Sequence, residues 1–250
     1  MKGRQGQRFY KLTSHRGAAG LAPENTLSAV RKGLATNADR IEIDVRQSKD
    51  GEVIVLHDRT LNRTTTGRGT LTHFNLSELK QLKVGKETTF PAERIPTLDE
   101  VLALVGGKAQ LVIEVKAGSA SYPGIEARII DLILRHKATS WVILQSFDDR
   151  VLFRLHELAP ALNYHKLLEF KLPYLPAYRD TRWRIGSLKR YHWVKEFSIN
   201  HQFASRRIVR EFHQLNKPLN VWTVNRPKRM QKLLKRGVDG IITDHPHLAN

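Results

Sequence analysis

The chain has 250 residues, 40% of them hydrophobic, no cysteine, and a formal net charge of +18 from 42 lysines and arginines against 24 aspartates and glutamates. Without cysteine there is no disulfide, no thiolate metal site and no cysteine nucleophile. No run reaches the roughly 18–20 apolar residues of a membrane helix, and the basic first eight residues lead into no signal-peptide core; the expectation is a soluble, cytoplasmic protein.

Taken in order, the β-rich run 9–14 predicts a first strand that ends at His15-Arg16-Gly17. Leu27, Val30 and Leu34 then keep helical spacing. In the second strand, 40–46, side chains alternate, so Ile41, Ile43 and Val45 share one face while Glu42 and Asp44 share the other. Asp50-Gly51 predicts a two-residue hairpin turn. Lys49 would then face Glu52, and counting outward sets Asp44 directly across from His57. The segment 59–96 is too long for an ordinary strand-to-helix loop and reads as an insertion over one end of the fold. Thr97 and Glu100 form a capping box for a helix over 98–105, which Gly106 stops.

A third strand over 110–116 sets Glu114 and Lys116 on one face. Ile125, Ile129, Leu132 and Ile133 follow with helical spacing, as do Ile208, Phe212 and Leu215 further on. The remaining strands are expected at 141–146, 162–169, 193–199, 219–224 and 240–243. The aromatic and basic stretch from Lys171 to Ser187 reads as a long loop. Eight strands alternating with helices predict an α/β fold, a (β/α)8 TIM barrel. One domain is expected over 1–250, with the insertion at about 59–96. No G-x-G-x-x-G follows the first strand, which counts against a dinucleotide fold. So little chain follows Asp244 that the last helix should be short or missing.

Barrel chemistry sits where strands end on the C-terminal side. His15, Asp44, Glu114 and Lys116 fall there, as do Gln145, Glu169, Asn200 and Asp244. Three carboxylates converging in one mouth repel one another, so they need countercharge or their pKa values rise. A hard divalent cation, Mg²⁺ or Ca²⁺, is one solution. A salt-bridge network with Arg16, Arg46 and Lys116 is the other. His15 and His57 each end a strand beside a charged neighbour and could move protons near neutral pH. His201, His245 and His247 also follow strand ends, and the other histidines read as structural. The basic excess lies late in the chain, from Arg179 to Arg210 and again from Arg226 to Arg236. It fits weak association with an anionic membrane surface, or simply a solvated outer face. Charge spread in this way is weak evidence for nucleic acid, and none is expected.

These residues fall into a familiar set. The chain resembles the glycerophosphodiester phosphodiesterase family through His15-Arg16-Gly17, Pro23-Glu24-Asn25-Thr26, Glu42-Ile43-Asp44-Val45, and His57-Asp58 with Thr60 and Arg63-Thr64-Thr65. The likeness continues through Ile95-Pro96-Thr97-Leu98, Glu114-Val115-Lys116, Gln145-Ser146-Phe147, Val221-Trp222-Thr223-Val224-Asn225 and Asp239-Gly240-Ile241-Ile242-Thr243-Asp244. The resemblance implies a (β/α)8 barrel with a small insertion after the second strand. It implies metal-dependent cleavage of a small glycerophosphodiester to glycerol 3-phosphate and an alcohol; the chemistry of two histidines beside a glycerol hydroxyl suggests a route through a cyclic phosphate. It makes Glu42, Asp44 and Glu114 the metal ligands and His15 and His57 the acid/base pair. Arg16 and Lys116 become phosphate contacts, Trp222 packs against the glycerol part, and Glu24 is a further polar group. A lysophospholipase D acting on larger lipids is the nearest alternative, and a non-catalytic binder of anionic lipid the more distant one. Glu-Val-Lys stands where Glu-Leu-Lys is more usual in the family, a conservative difference.

Overall fold

The computed structural model describes residues 8–85, 93–169 and 185–249. Eight strands make the barrel: β1 (Lys11–Ser14), β2 (Arg40–Gln47), β3 (Gln110–Val115), β4 (Val142–Ser146), β5 (Asn163–Leu168), β6 (Glu196–Asn200), β7 (Leu219–Trp222) and β8 (Gly240–Thr243). Each pairs parallel with the next. The ring closes where β1 pairs with β8, Ser14 opposite Thr243. All eight expected strands are present, with ends shifted by a few residues.

The crossovers carry helices α1 (Leu27–Ala35), α2 (Leu98–Val105), α3 (Ile125–Arg135), α4 (Asp149–Leu158), α5 (Arg206–Gln214) and α6 (Pro227–Leu234). Their starts are written locally. The Thr26 hydroxyl accepts from the Ala29 N–H, Thr97 and Glu100 close their capping box, and Pro227 opens α6. Gly106 ends α2 as expected. The outward faces of the strands, such as Ile41, Ile43, Leu111 and Ile113, meet the helices' apolar stripes and are fully buried. Burial of each such side chain contributes about 1.5–3 kcal/mol.

Inward positions are largely polar. At the floor, the Arg40 guanidinium donates to both Glu196 oxygens at 2.7 Å and to Gln110 at 3.0 Å. Asn220 donates to Glu196 at 2.9 Å, and His165 Nε2 lies 3.7 Å from it.

The hairpin after β2 differs from the sequence expectation. Gln47 pairs with Val53 and Val45 with Val55, so Lys49, Asp50 and Gly51 form a three-residue loop. The Glu52 N–H donates to the Ser48 hydroxyl, and Gly51 takes a left-handed φ of +87°, as a three-residue loop requires. The register therefore shifts by one: the carbonyl of Asp44 receives the N–H of Leu56, and His57 is not its direct partner. Beyond the hairpin the chain builds a small cluster of its own from Ile54, Leu56, Leu61, Leu71, Leu79, Val84 and Ile95. Among the described residues β8 is followed by a 3-10 turn, Pro246–Ala249, whose last carbonyl receives the Tyr10 hydroxyl at 2.7 Å. Most of the predicted loop from Lys171 to Ser187 lies outside the described residues; a 3-10 helix runs from Ile185 to Tyr191. Among the described residues no helix is long and apolar enough to cross a membrane.

Candidate active site

Strand β1 delivers His15 and Arg16 to the C-terminal rim and turns sharply there. Arg16 has a φ of +50° and Gly17 one of +87°. A Cβ on Gly17 would lie 2.6 Å from the Cβ of Ala29 on α1, so only glycine fits between strand end and helix. The turn aims the Arg16 N–H at Glu42 Oε2, 2.9 Å away, and the Gly17 N–H at the Glu42 carbonyl.

Adjacent strands β2 and β3 pair Asp44 with Glu114, and Glu42 lies one inward step below Asp44. Alternation points all three inward, where they are 1–6% exposed. Each offers an oxygen within 4.8 Å of the others. The Lys116 ammonium reaches Asp44 at 2.8 Å and Glu114 at 2.5 Å, and Arg16 Nε lies 3.5 Å from Asp44. Arg46 does not join them. It donates to the carbonyl of His57 and the hydroxyl of Tyr122, which corrects its place in the expected ion network.

The carboxylates differ in character. Burial pushes Glu42 up, and the Asp44 charge adds to this, to about 8. Glu114 is also raised, first by burial. Burial would raise Asp44 too, but Lys116 and Arg16 hold it well below the usual carboxylate range. One Glu42 oxygen, Oε1, is buried without a hydrogen-bond partner.

Two imidazoles flank the triad. His15 Nδ1 is bonded to Asp244 Oδ1 at 2.6 Å, and Asn225 donates to the other Asp244 oxygen at 2.6 Å. His57 Nδ1 is bonded to Asp58 Oδ1 at 2.6 Å, and Arg63 donates to Asp58 in turn. In each case Nε2 is the ring nitrogen left over. Their basicities diverge. Burial pulls His15 down, but Asp244 and Glu42 overcome it and leave its pKa raised. Burial and the Lys116 charge leave that of His57 lowered.

His15, Arg16, Glu42, His57, Glu114, Lys116 and Trp222 line one cavity of about 130 Å³, with Gln145, Phe147 and Leu167 among its other walls. Asp44 lies behind them, its Oδ2 held by Asn25 at 2.8 Å. Trp222 meets Phe147 edge-on, ring centres 5.6 Å apart, and its indole N–H is buried without a partner. Sequence reasoning assigned no part to Asn25, Asp58, Arg63, Asn225 or Asp244. Asn25 holds Asp44 from both sides, its Oδ1 accepting the Asp44 N–H at 3.1 Å. Arg63 grips Glu24 through two bonds of 2.7 Å while holding Asp58, and Glu24 accepts from Arg16. A continuous chain thus runs His57–Asp58–Arg63–Glu24–Arg16. Asn25, Asp58, Arg63, Asn225 and Asp244 all lie inside motifs quoted above, and Asp244 was also marked by its place at the end of a strand.

A closed parallel barrel with acids, bases and cations gathered at its C-terminal rim defines the class: a (β/α)8 enzyme. The chain belongs to the glycerophosphoryl diester phosphodiesterase family, whose pattern matches residues 15–248, and is a phosphoric diester hydrolase. It is 38% identical over 238 residues to a glycerophosphodiester phosphodiesterase of Caldanaerobacter subterraneus, covering 94% of each chain. With one of Bacillus altitudinis the identity is 34%, over 96% of each. Among solved structures, a glycerophosphodiester phosphodiesterase of Agrobacterium tumefaciens superposes with a TM-score of 0.80 at 28% identity, covering 96% of this chain and 98% of that one. An Oleispira antarctica phosphodiesterase, solved in complex with the product sn-glycerol-3-phosphate, gives 0.84 at 26% identity over 95% and 94%.

Proposed function

We propose that the enzyme cleaves glycerophosphodiesters to glycerol 3-phosphate and an alcohol, with His57 as the first base and His15 as the first acid. The observation that carries this is the divergence of two imidazoles facing one cavity. Each has its Nδ1 held by a carboxylate, yet the surroundings raise the pKa of His15 and lower that of His57. Groups whose environments push their pKa values apart are suited to opposite proton-transfer roles. The product bound by the Oleispira relative supports the substrate class.

In this reading the phosphodiester sits against Arg16 and Lys116, which offset its charge, and the glycerol part lies along Trp222. His57 Nε2 takes the proton of the glycerol hydroxyl next to the phosphate. That oxygen attacks phosphorus and closes a cyclic phosphate, while the bond to the departing alcohol breaks and His15 Nε2 gives that oxygen its proton. Water then opens the ring with the roles exchanged: His15 takes a proton from water, and His57 returns one to the glycerol oxygen. Each transfer contributes roughly 10²–10⁴-fold in rate.

The donor set fits a hard divalent cation. It is all carboxylate oxygen, the three groups converge within 4.8 Å, and Glu42 Oε1 is buried without a partner. Glu42, Asp44 and Glu114 would hold it. When bound it would neutralise phosphate charge and polarise a phosphoryl oxygen.

The test is a panel of glycerophosphodiesters assayed before and after chelation, with Mg²⁺ or Ca²⁺ restored. Expected are loss and recovery of turnover, and glycerol 3-phosphate as the final product by phosphorus NMR, with a transient cyclic phosphate. Full turnover after exhaustive chelation would remove the cation from the reading. Preferred release of a head group from lysophosphatidylcholine would replace the substrate class.

A further inference from the structure

We propose that the groove between α5 and α6 docks this enzyme on an anionic lipid bilayer. Residues 205–236 hold ten lysines and arginines and one acid, Glu211. On α3 Arg135 pairs with Asp131, and on α4 Arg154 pairs with Glu157. Along α5 and α6 that partnering runs out. Arg207 takes Glu211, while Arg229 and Arg236 donate to the carbonyls of His201 and Ala204. Arg206, Lys228, Lys232 and Lys235 remain exposed, with no ion pair among the described residues. These four line one groove of about 560 Å³ together with Arg236.

The arrangement carries an electrostatic cost that an anion would relieve. Lys228 and Lys232, and Lys232 and Arg236, stand four residues apart on or at the end of α6, where like charges repel. Arg206 and Arg207 open α5, and Lys228 and Arg229 open α6, each against the positive pole of its helix. A surface bearing many phosphates answers both.

Nucleic acid offers phosphates too, but no aromatic side chain lines this groove to stack on a base. Long lysine stems suit a planar field of head groups, which they reach without desolvating the ammonium. The groove is built from outer helices and shares no residue with the cavity at the mouth. One further argument rests on the substrate reading above: a glycerophosphodiester is what remains when a phospholipid loses its acyl chains. The deacylation that supplies it therefore takes place at a bilayer.

The experiment is co-sedimentation of the full chain with vesicles of phosphatidylcholine alone, or of phosphatidylcholine with phosphatidylglycerol. A quadruple variant carries Arg206→Gln, Lys228→Gln, Lys232→Gln and Lys235→Gln. A matched control removes as many cations elsewhere through Arg31→Gln, Lys32→Gln, Lys108→Gln and Arg135→Gln. Wild type should bind only the anionic vesicles, and less at high salt. Each groove cation is worth about fivefold in partitioning. The groove variant should therefore lose on the order of 100-fold or more, the control less than about tenfold, and Lys232→Gln alone about fivefold. Both quadruple variants should keep wild-type melting temperature and turnover of a soluble diester.

Equal losses in groove and control variants, or no sedimentation of wild type with anionic vesicles, would overturn the docking surface. Displacement from vesicles by single-stranded RNA at lower charge equivalents would reassign the groove to nucleic acid. Vesicle binding without diester turnover would sink the substrate reading and leave the docking intact.

Discussion

The barrel interior holds two buried ionic clusters, and they are built to opposite ends. At the floor, Glu196 on β6 is gripped by both arms of Arg40 and by Asn220. At the mouth, Glu42 Oε1 on β2 and the Trp222 indole N–H are buried with no hydrogen-bond partner among the described residues. Burial raises both glutamates. At the floor Arg40 reverses this and brings Glu196 down to about 2, whereas at the mouth Asp44 reinforces it and Glu42 stands at about 8. A buried polar group left open costs stability. The mouth tolerates that cost where a ligand's charge would complete it, whereas at the floor both oxygens of Glu196 are already taken.

The sharpest way to break this contrast is to separate activity from stability. His57→Ala or His15→Ala should each lower kcat by roughly 10²–10⁴-fold, with little change in urea midpoint. Glu42→Gln should likewise abolish most turnover while leaving the chelated protein as stable as before, or more so, because it removes one of three crowded carboxylates. Arg40→Ala should do the reverse. It strands Glu196 in the floor, so unfolding free energy should fall by about 3–5 kcal/mol while the folded fraction keeps its specific activity. A floor variant that loses kcat without losing stability would erase the distinction.

Acid should find the floor next. The pKa of Glu196 is depressed on folding, so its contribution is present above the unfolded value near 4.5 and is lost as pH falls toward 2. The full loss is ~3 kcal/mol, of which ~2 kcal/mol should appear between urea midpoints read at pH 6 and pH 3. Replacing the pair as Arg40→Met with Glu196→Leu should flatten this part of the profile at small cost, as apolar replacement of a buried ion pair often does.

How much of this was legible in the sequence divides along the same line. The strands, the Thr97–Glu100 capping box and the shared face of Glu42 and Asp44 follow from local alternation and local hydrogen bonding, and they appear as expected. The hairpin register missed by one residue. Asp-Gly is the mark of a two-residue turn, while the Ser48 hydroxyl stabilises a longer loop that no pairwise rule foresees. The histidine partners lay further out of reach. Asp244 meets His15 from 229 positions away, and only the closure of β8 onto β1 brings them together. The floor pair Arg40 and Glu196 spans 156 positions across the barrel for the same reason. Alternation tells which face a side chain takes, but not which residue on the opposite wall it meets.

The smallest expected effect falls on Arg63, which ties the insertion to the mouth by holding Asp58 and Glu24 at once. Its side chain is 47% exposed, so Arg63→Ala should cost under about 1 kcal/mol of stability. Its effect belongs in the rate. Without it, both the Asp58 that steadies His57 and the Glu24 that steadies Arg16 lose a fixed partner. A slackened pair of reacting groups should lose roughly 10- to 100-fold in kcat. The pH profile distinguishes this from simple loosening. Asp58 no longer shared with Arg63 places more negative charge beside His57, which raises the pKa of the imidazole. In its proposed role as base His57 works when neutral, so the acid limb of kcat/KM should move to higher pH. Arg63→Lys supplies one donor head in place of the planar fork, and should recover part of the rate with an intermediate limb. An unmoved limb in both variants would leave Arg63 as a surface ion pair with no hold on the proton transfer.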